Sequence, residues 1–193
     1  MAPGTHPADT GMRLFVALEP PAAVRDALAS WAEAAVGEDR RLRLVAADAL
    51  HLTLVFLGER PEADVAALAP ALARALSRAV PPRDAHVEAP LWLSPRRPHV
   101  LTVAVADPSG RLAALQERVV AACAEATDFV PEARRFRPHV TVARVGRDAH
   151  VRPRVLPSLP AVACAPWATG GVTLLRSHAG GGAAQYEALW GGR

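Results

Sequence analysis

No lysine occurs among the 193 residues, so all 22 Lys-or-Arg positions are arginine. That absence sets aside P-loop phosphate binding, Schiff-base chemistry and lysine-adenylated nucleic-acid ligation, each of which needs an amine. Cysteine is nearly as scarce, with Cys123 in a helical apolar pattern and Cys164 in a Pro-flanked apolar stretch. Two such residues make neither a disulfide framework nor a zinc-ligand spacing, and both read as buried small hydrophobes. Apolar runs are broken by charge, as by Arg96-Arg97 between Leu93 and Val100. None therefore approaches the ~20 residues of a membrane helix. Residues 1–11 lack the apolar core of a signal peptide and read as a flexible leader to one bilobal domain over 12–193. The expectation is a soluble, cytoplasmic protein without a membrane partner.

What is present fits a globular chain, with 51% hydrophobic residues and a net charge of +3. Arginine offers a planar fork matched to phosphate oxygens, which suits an anionic substrate. A bias toward GC-rich codons accounts for arginine over lysine equally well.

Met12–Leu18 reads as a strand ended by Pro20-Pro21, and Val24, Leu28, Trp31 and Ala35 then recur at helical spacing, with Gly37 past the end. A short strand over Arg41–Val45 leads into a strand over Leu50–Leu57, closed by Gly58. Val65, Leu68, Leu72 and Leu76 mark a second helix that Pro70 should bend or shift. Strands follow at Ala85–Leu93 and His99–Val105, then a helix marked by Leu112, Leu115, Val119 and Ala122, then a strand over Phe136–Val145. Val151–Ala168, with four prolines, reads as a loop-like crossing. Val172–Arg176 and Gln185–Trp190 close the chain around a Gly180-Gly181-Gly182 turn. Strands and helices without strict alternation argue for an α+β fold. The expected architecture is two pseudo-symmetric lobes, with mainly antiparallel sheets lining a central cleft and helices outside.

One device appears twice. Leu50-His51-Leu52-Thr53-Leu54 and Pro138-His139-Val140-Thr141-Val142 each place His-x-Thr in an apolar run, one in each half of the chain. Strand side chains alternate faces, so His51 and Thr53 share one face and His139 and Thr141 share another. Two imidazoles divide acid and base roles near neutral pH, because the unperturbed imidazole pKa is about 6.5. Threonine hydroxyls on the same face donate hydrogen bonds to non-bridging phosphate oxygens as charge develops there. Such a set suits opening a cyclic phosphodiester and requires no metal and no cofactor. A lone His-x-Thr in an apolar strand is more often a partly buried histidine with satisfied hydrogen bonds; the repetition carries the inference.

These segments resemble the 2H phosphoesterase superfamily, and within it the RNA 2′,3′-cyclic phosphodiesterases, also called 2′-5′ RNA ligases. The likeness lies in Arg13–Leu18 as opening strand, Leu50–Gly58 and Arg137–Arg144 as the two signatures, and Pro95–Pro98, Leu175–Ser177 and Tyr186-Glu187. The resemblance implies His51 as proton donor to the leaving oxygen and His139 as the acceptor that activates water. It also implies phosphate binding by Thr53, Thr141 and Arg144, and a base-contacting wall from Phe15 and Phe56. Leu44 stands where the family commonly has tryptophan. Arg144 follows His139 by five residues, an offset that turns it away from the cleft unless the strand bulges, leaving a structural salt bridge as its alternative.

The function expected is metal-independent hydrolysis of 2′,3′-cyclic phosphate ends of RNA or nucleotides, tRNA fragments among them, to 2′-phosphomonoesters by a monomer. ATP-independent 2′-5′ joining is the same chemistry reversed. A binding module that holds a nucleotide or RNA end without turnover is the competing reading. A metallohydrolase is the weakest, because threonine is a poor zinc ligand. His6, His86, His99 and His150 carry no threonine partner, and His178 stands as a candidate border of the cleft.

Overall fold

A computed structural model of the chain describes residues 11–94, 96–178 and 185–192. Its elements run β1 (Met12–Leu18), α1 (Ala22–Val36), β2 (Leu42–Leu44), β3 (Leu52–Arg60), α2 (Ala63–Ser77), β4 (His86–Leu93) and β5 (Val100–Ala106). They continue with α3 (Arg111–Ala126), β6 (His139–Val145), α4 (Ala161–Cys164), β7 (Val172–His178) and β8 (Gln185–Gly192). The strands order as β4-β5-β6-β3-β1-β7-β8, with β2 beside β6. Every strand pairing is antiparallel. The two halves meet between β6 and β3 through one ladder pair, Leu52 with Val140, from which the motif strands diverge. This is the α+β arrangement of two lobes around a cleft.

Side-chain period decides which sheet face is covered. Leu14, Val16 and Leu18 of β1, Leu52 of β3, Leu101 and Val103 of β5 and Val140 of β6 join one buried cluster. Val24, Leu28 and Trp31 of α1, Leu68 and Leu72 of α2 and Leu112, Leu115 and Val119 of α3 supply its helical side. α1 begins where the Pro21 carbonyl accepts from the amides of Val24 and Arg25 (2.9 and 3.0 Å). It ends at Gly37, where a Cβ would lie 2.5 Å from the Glu33 carbonyl oxygen. Asp107 caps α3, accepting from the amides of Leu112 and Ala113.

Several expectations are corrected. α2 runs from Ala63 to Ser77 with Pro70 inside it, so the proline does not shift its start. An interior proline costs about 3 kcal/mol or more, and complete burial of Leu68 and Leu72 offsets it at about 1.5–3 kcal/mol each. Gly58 does not close β3: it sits inside the strand at φ 75°, and the strand continues to Arg60. Cys123 is buried, and burial pushes its thiol up to about 12, but Cys164 is exposed because the short α4 at the end of which it lies faces outward there. That helix also interrupts the crossing over 151–168. The leader up to residue 10, with His6, and the Gly180–Gly182 turn lie outside the described residues. Among the described residues no helix is long and apolar enough to cross a membrane.

Candidate active site

The single pair between β3 and β6 fixes the site. Leu52 and Val140 are fully buried in the core. The residues flanking them therefore project to the other face. Continuing the antiparallel register by one residue each way sets His51 opposite Thr141 and His139 opposite Thr53. The histidines lie on a diagonal of this square, near enough for the charge of His139 to act on His51.

Each imidazole is aimed by its own upstream backbone. His51 Nδ1–H donates to the Ala49 carbonyl at 2.8 Å, and His139 Nδ1–H donates to the Arg137 carbonyl at 2.8 Å. A carbonyl only accepts, so Nδ1 carries the proton in both rings, and Nε2 is the atom left for chemistry. Burial pushes the His51 pKa below its ordinary value, and the nearby positive charges of Arg144 and His139 push it the same way. The bond to Ala49 and the charge of Glu19 oppose these effects.

Both motif strands bulge just after their threonine. In β3, Ala17 pairs with Thr53 and Val16 with Val55, so Leu54 is the extra residue. In β6, Thr102 pairs with Thr141 and Leu101 with Ala143, so Val142 is extra. An extra residue reverses strand parity. Phe56 therefore joins His51 and Thr53 on the cleft face, and Arg144 joins His139 and Thr141. The offset of five, which strict alternation would turn away, is what the bulge requires. The effect of Arg144 on His51 agrees with this placement.

Phe56 is 58% exposed, but Phe15 is only 2% exposed, so Phe15 is not an open wall for a base. Its ring lies beneath the site instead, 5.1 Å from the His51 ring and 5.9 Å from that of Phe56. Tyr186 of β8, whose role the sequence left unread, stands edge-on to both Phe15 and His51 at 5.1 Å. Only the likeness of Tyr186-Glu187 to a family segment marked it. Leu44 packs against the core.

His178 lines a cavity next to the surroundings of His51. Its Nε2 lies 3.0 Å from a Glu187 carboxylate oxygen, and the pair lines a cavity of about 560 Å³ with Asp48, Ala49, Gln185 and Tyr186. Ala49 and Tyr186 are shared between this cavity and the surroundings of His51. Among the described residues no group of three or more His, Cys, Asp or Glu side chains is placed to hold a metal ion.

The profile of the 2′-5′ RNA ligase superfamily matches residues 19–181. The chain belongs to that superfamily. Among solved structures, TT0787 of Thermus thermophilus is 30% identical, with a TM-score of 0.75 over 93% of this chain and 96% of its own. E. coli LigT complexed with 3′-AMP is 28% identical, with a TM-score of 0.72 over 94% and 97%. A structure described as a phosphoesterase is also 28% identical, with a TM-score of 0.68 over the same shares. No curated protein matches the chain. Membership of this 2H phosphoesterase superfamily supports an enzyme of the phosphoesterase or RNA-ligase type.

Proposed function

We propose that this member of the superfamily hydrolyses 2′,3′-cyclic phosphate ends of RNA or nucleotides to 2′-phosphomonoesters, without a metal. The observation that carries the reading is the pair of matching imidazoles, each held by Nδ1 and offering Nε2 to one shared face. His139 Nε2 takes a proton from water as its oxygen attacks phosphorus. The bond from phosphorus to O3′ breaks, and His51 Nε2–H protonates O3′, leaving a 2′-phosphate and a free 3′-hydroxyl. Thr53, Thr141 and Arg144 hold the non-bridging oxygens, and Phe56 offers its ring to the base. A 5′-hydroxyl of a second RNA in place of water gives a 2′-5′ linkage with no ATP, since the strained ring supplies the driving force. Residues 12–193 act in this reading as one bilobal, monomeric, cytoplasmic unit.

The lowered pKa of His51 leaves the free ring neutral near pH 7, and a bound phosphate anion counters that by favouring the charged ring. The same observation favours a second assignment, with His51 as acceptor and His139 as donor, which the near-symmetry of the site permits.

The test is product analysis after incubation with a 2′,3′-cyclic nucleotide in EDTA. A 2′-monophosphate is expected. A 3′-monophosphate contradicts the regiochemistry, and tight nucleotide binding without product leaves the non-catalytic binding module as the better reading.

A further inference from the structure

Phe56 reaches the cleft face through a stretch of β3 that its ladder holds weakly. Leu54 and Leu57 are both extra residues against β1, so between them only Val55 and Phe56 pair with that strand, opposite Val16 and Phe15. On its other edge β3 meets β6 at Leu52 alone. A bulge leaves its extra residue without a ladder partner, and the peptide groups there need another. Without the extra residue at Leu54, alternation from Thr53 would set Val55 on the cleft face and turn Phe56 to the core.

The two motif strands meet that need differently. On β6 the carbonyl of the extra residue, Val142, accepts from the backbone amide of Val45 at 2.9 Å. On β3 the carbonyl of Leu54 accepts from a side chain, the Nε2–H of Gln116 on α3, at 3.3 Å. A carbonyl only accepts, so the amide nitrogen of Gln116 and not its oxygen must face it. Gln116 is half-buried, and Leu112, Leu115 and Val119 around it on α3 lie in the core, which anchors the helix that carries it. A backbone amide is present whatever residue carries it, whereas the bond to Leu54 depends on one side chain.

We propose that Gln116 is a positioning residue: by holding the Leu54 carbonyl it keeps the β3 bulge, and the bulge keeps Phe56 on the cleft face with His51 and Thr53. Gln116 touches no reacting atom and acts through Phe56. Its consequence for the substrate rests on the hydrolase reading above: contact with the base of a cyclic nucleotide is set from the covered side of the sheet.

The experiment uses Gln116→Met, which keeps the length of the side chain and removes the donor, and Gln116→Glu, which keeps the shape and has no donor when ionised. Gln116→Lys returns a donor of similar reach. Unfolding curves establish that each variant is folded. The nuclear Overhauser contact between the Phe15 and Phe56 rings, whose centroids lie 5.9 Å apart, should be lost in Gln116→Met, while that between Phe15 and Tyr186 persists. The kcat/KM ratio of a 2′,3′-cyclic nucleotide to a ribose 2,3-cyclic phosphate lacking the base should fall at least about fivefold in Gln116→Met, and Gln116→Lys should restore part of it. A Phe15–Phe56 contact that survives in both donorless variants overturns the positioning role, whatever the kinetics. A lost contact with an equal loss on both substrates, or a wild-type ratio near one, overturns the consequence for the base and leaves the hydrolase reading intact. If the wild type turns over neither substrate, the hydrolase reading fails instead. The Kd ratio of a 2′-mononucleotide to ribose 2-phosphate, wild type against Gln116→Met, then decides the consequence for the base by the same criterion.

Discussion

The strand carrying His51 and the strand carrying His139 share a backbone plan and differ in what they present. In each, the histidine is anchored to the carbonyl two residues upstream, the threonine follows on the same face, and a bulge brings the fifth residue after the histidine back to that face. On β3 that fifth residue is Phe56, and the histidine is packed between Phe15 and Tyr186. On β6 it is Arg144, beside Arg43. The same backbone plan has been given an aromatic side and a cationic side. Under the proposed function the difference has a purpose: a nucleotide end has one flat apolar base and one charged ester, and the aromatic lobe would take the first and the cationic lobe the second.

The largest effect should come from removing either imidazole. His51→Ala and His139→Ala should each lower turnover of a 2′,3′-cyclic nucleotide by about 10²-fold or more. A phosphodiester with a 4-nitrophenyl leaving group needs no proton donor, so the variant that lacks the donor should recover most of its loss on that substrate. Recovery in His51→Ala supports His51 as donor, and recovery in His139→Ala supports the exchanged assignment. Equal losses on both substrates would argue against any division of labour between the lobes.

A smaller effect separates the fifth residues. Arg144→Ala removes a charge-assisted contact of about 1.5–3 kcal/mol, or about 10- to 100-fold in kcat/KM, and should act on every phosphodiester alike. Phe56→Ala should cost about 1–3 kcal/mol through lost base stacking, and should spare a substrate that lacks a base. Steady-state kinetics with and without the base checks both. If Arg144→Ala were sensitive to the base and Phe56→Ala were not, the contrast between the lobes would be misassigned.

The smallest effect is on stability. The folded-state pKa of His51 lies below that of the unfolded chain, which is near 6.5. The unfolded state then binds more protons between those two values, so stability is fully present above pH ~6.5 and declines as pH falls toward the folded value. Urea unfolding from pH 7.5 to pH 5 should show this decline, and His51→Gln should flatten it. An unchanged slope in the variant would place its origin elsewhere.

The α+β class and the twin motifs were legible because they depend on local patterns. β1 begins and ends as its run of apolar residues suggests, and α1 is bounded by Pro21 and Gly37. The bulges were not legible, since an extra residue in β3 or β6 is defined only against the register of β1 or β5. That is why the sequence could only make the facing of Arg144 conditional on a bulge. The burial of Phe15 depends on Tyr186 arriving from the far end of the chain, a contact that no local pattern encodes. Gly58 read as a stop because glycine usually punctuates, yet it follows the extra residue Leu57 inside a continuing strand, where its positive φ is easily adopted.

The convergence of His51 and His139 on one phosphorus atom is tested most directly by NMR titration with a 2′-mononucleotide, following the ring signals of both residues after assignment with the single variants. Both sets of signals should move together, with one Kd and one ligand per chain. Movement of only one ring, or two separate midpoints, would contradict a shared phosphate site.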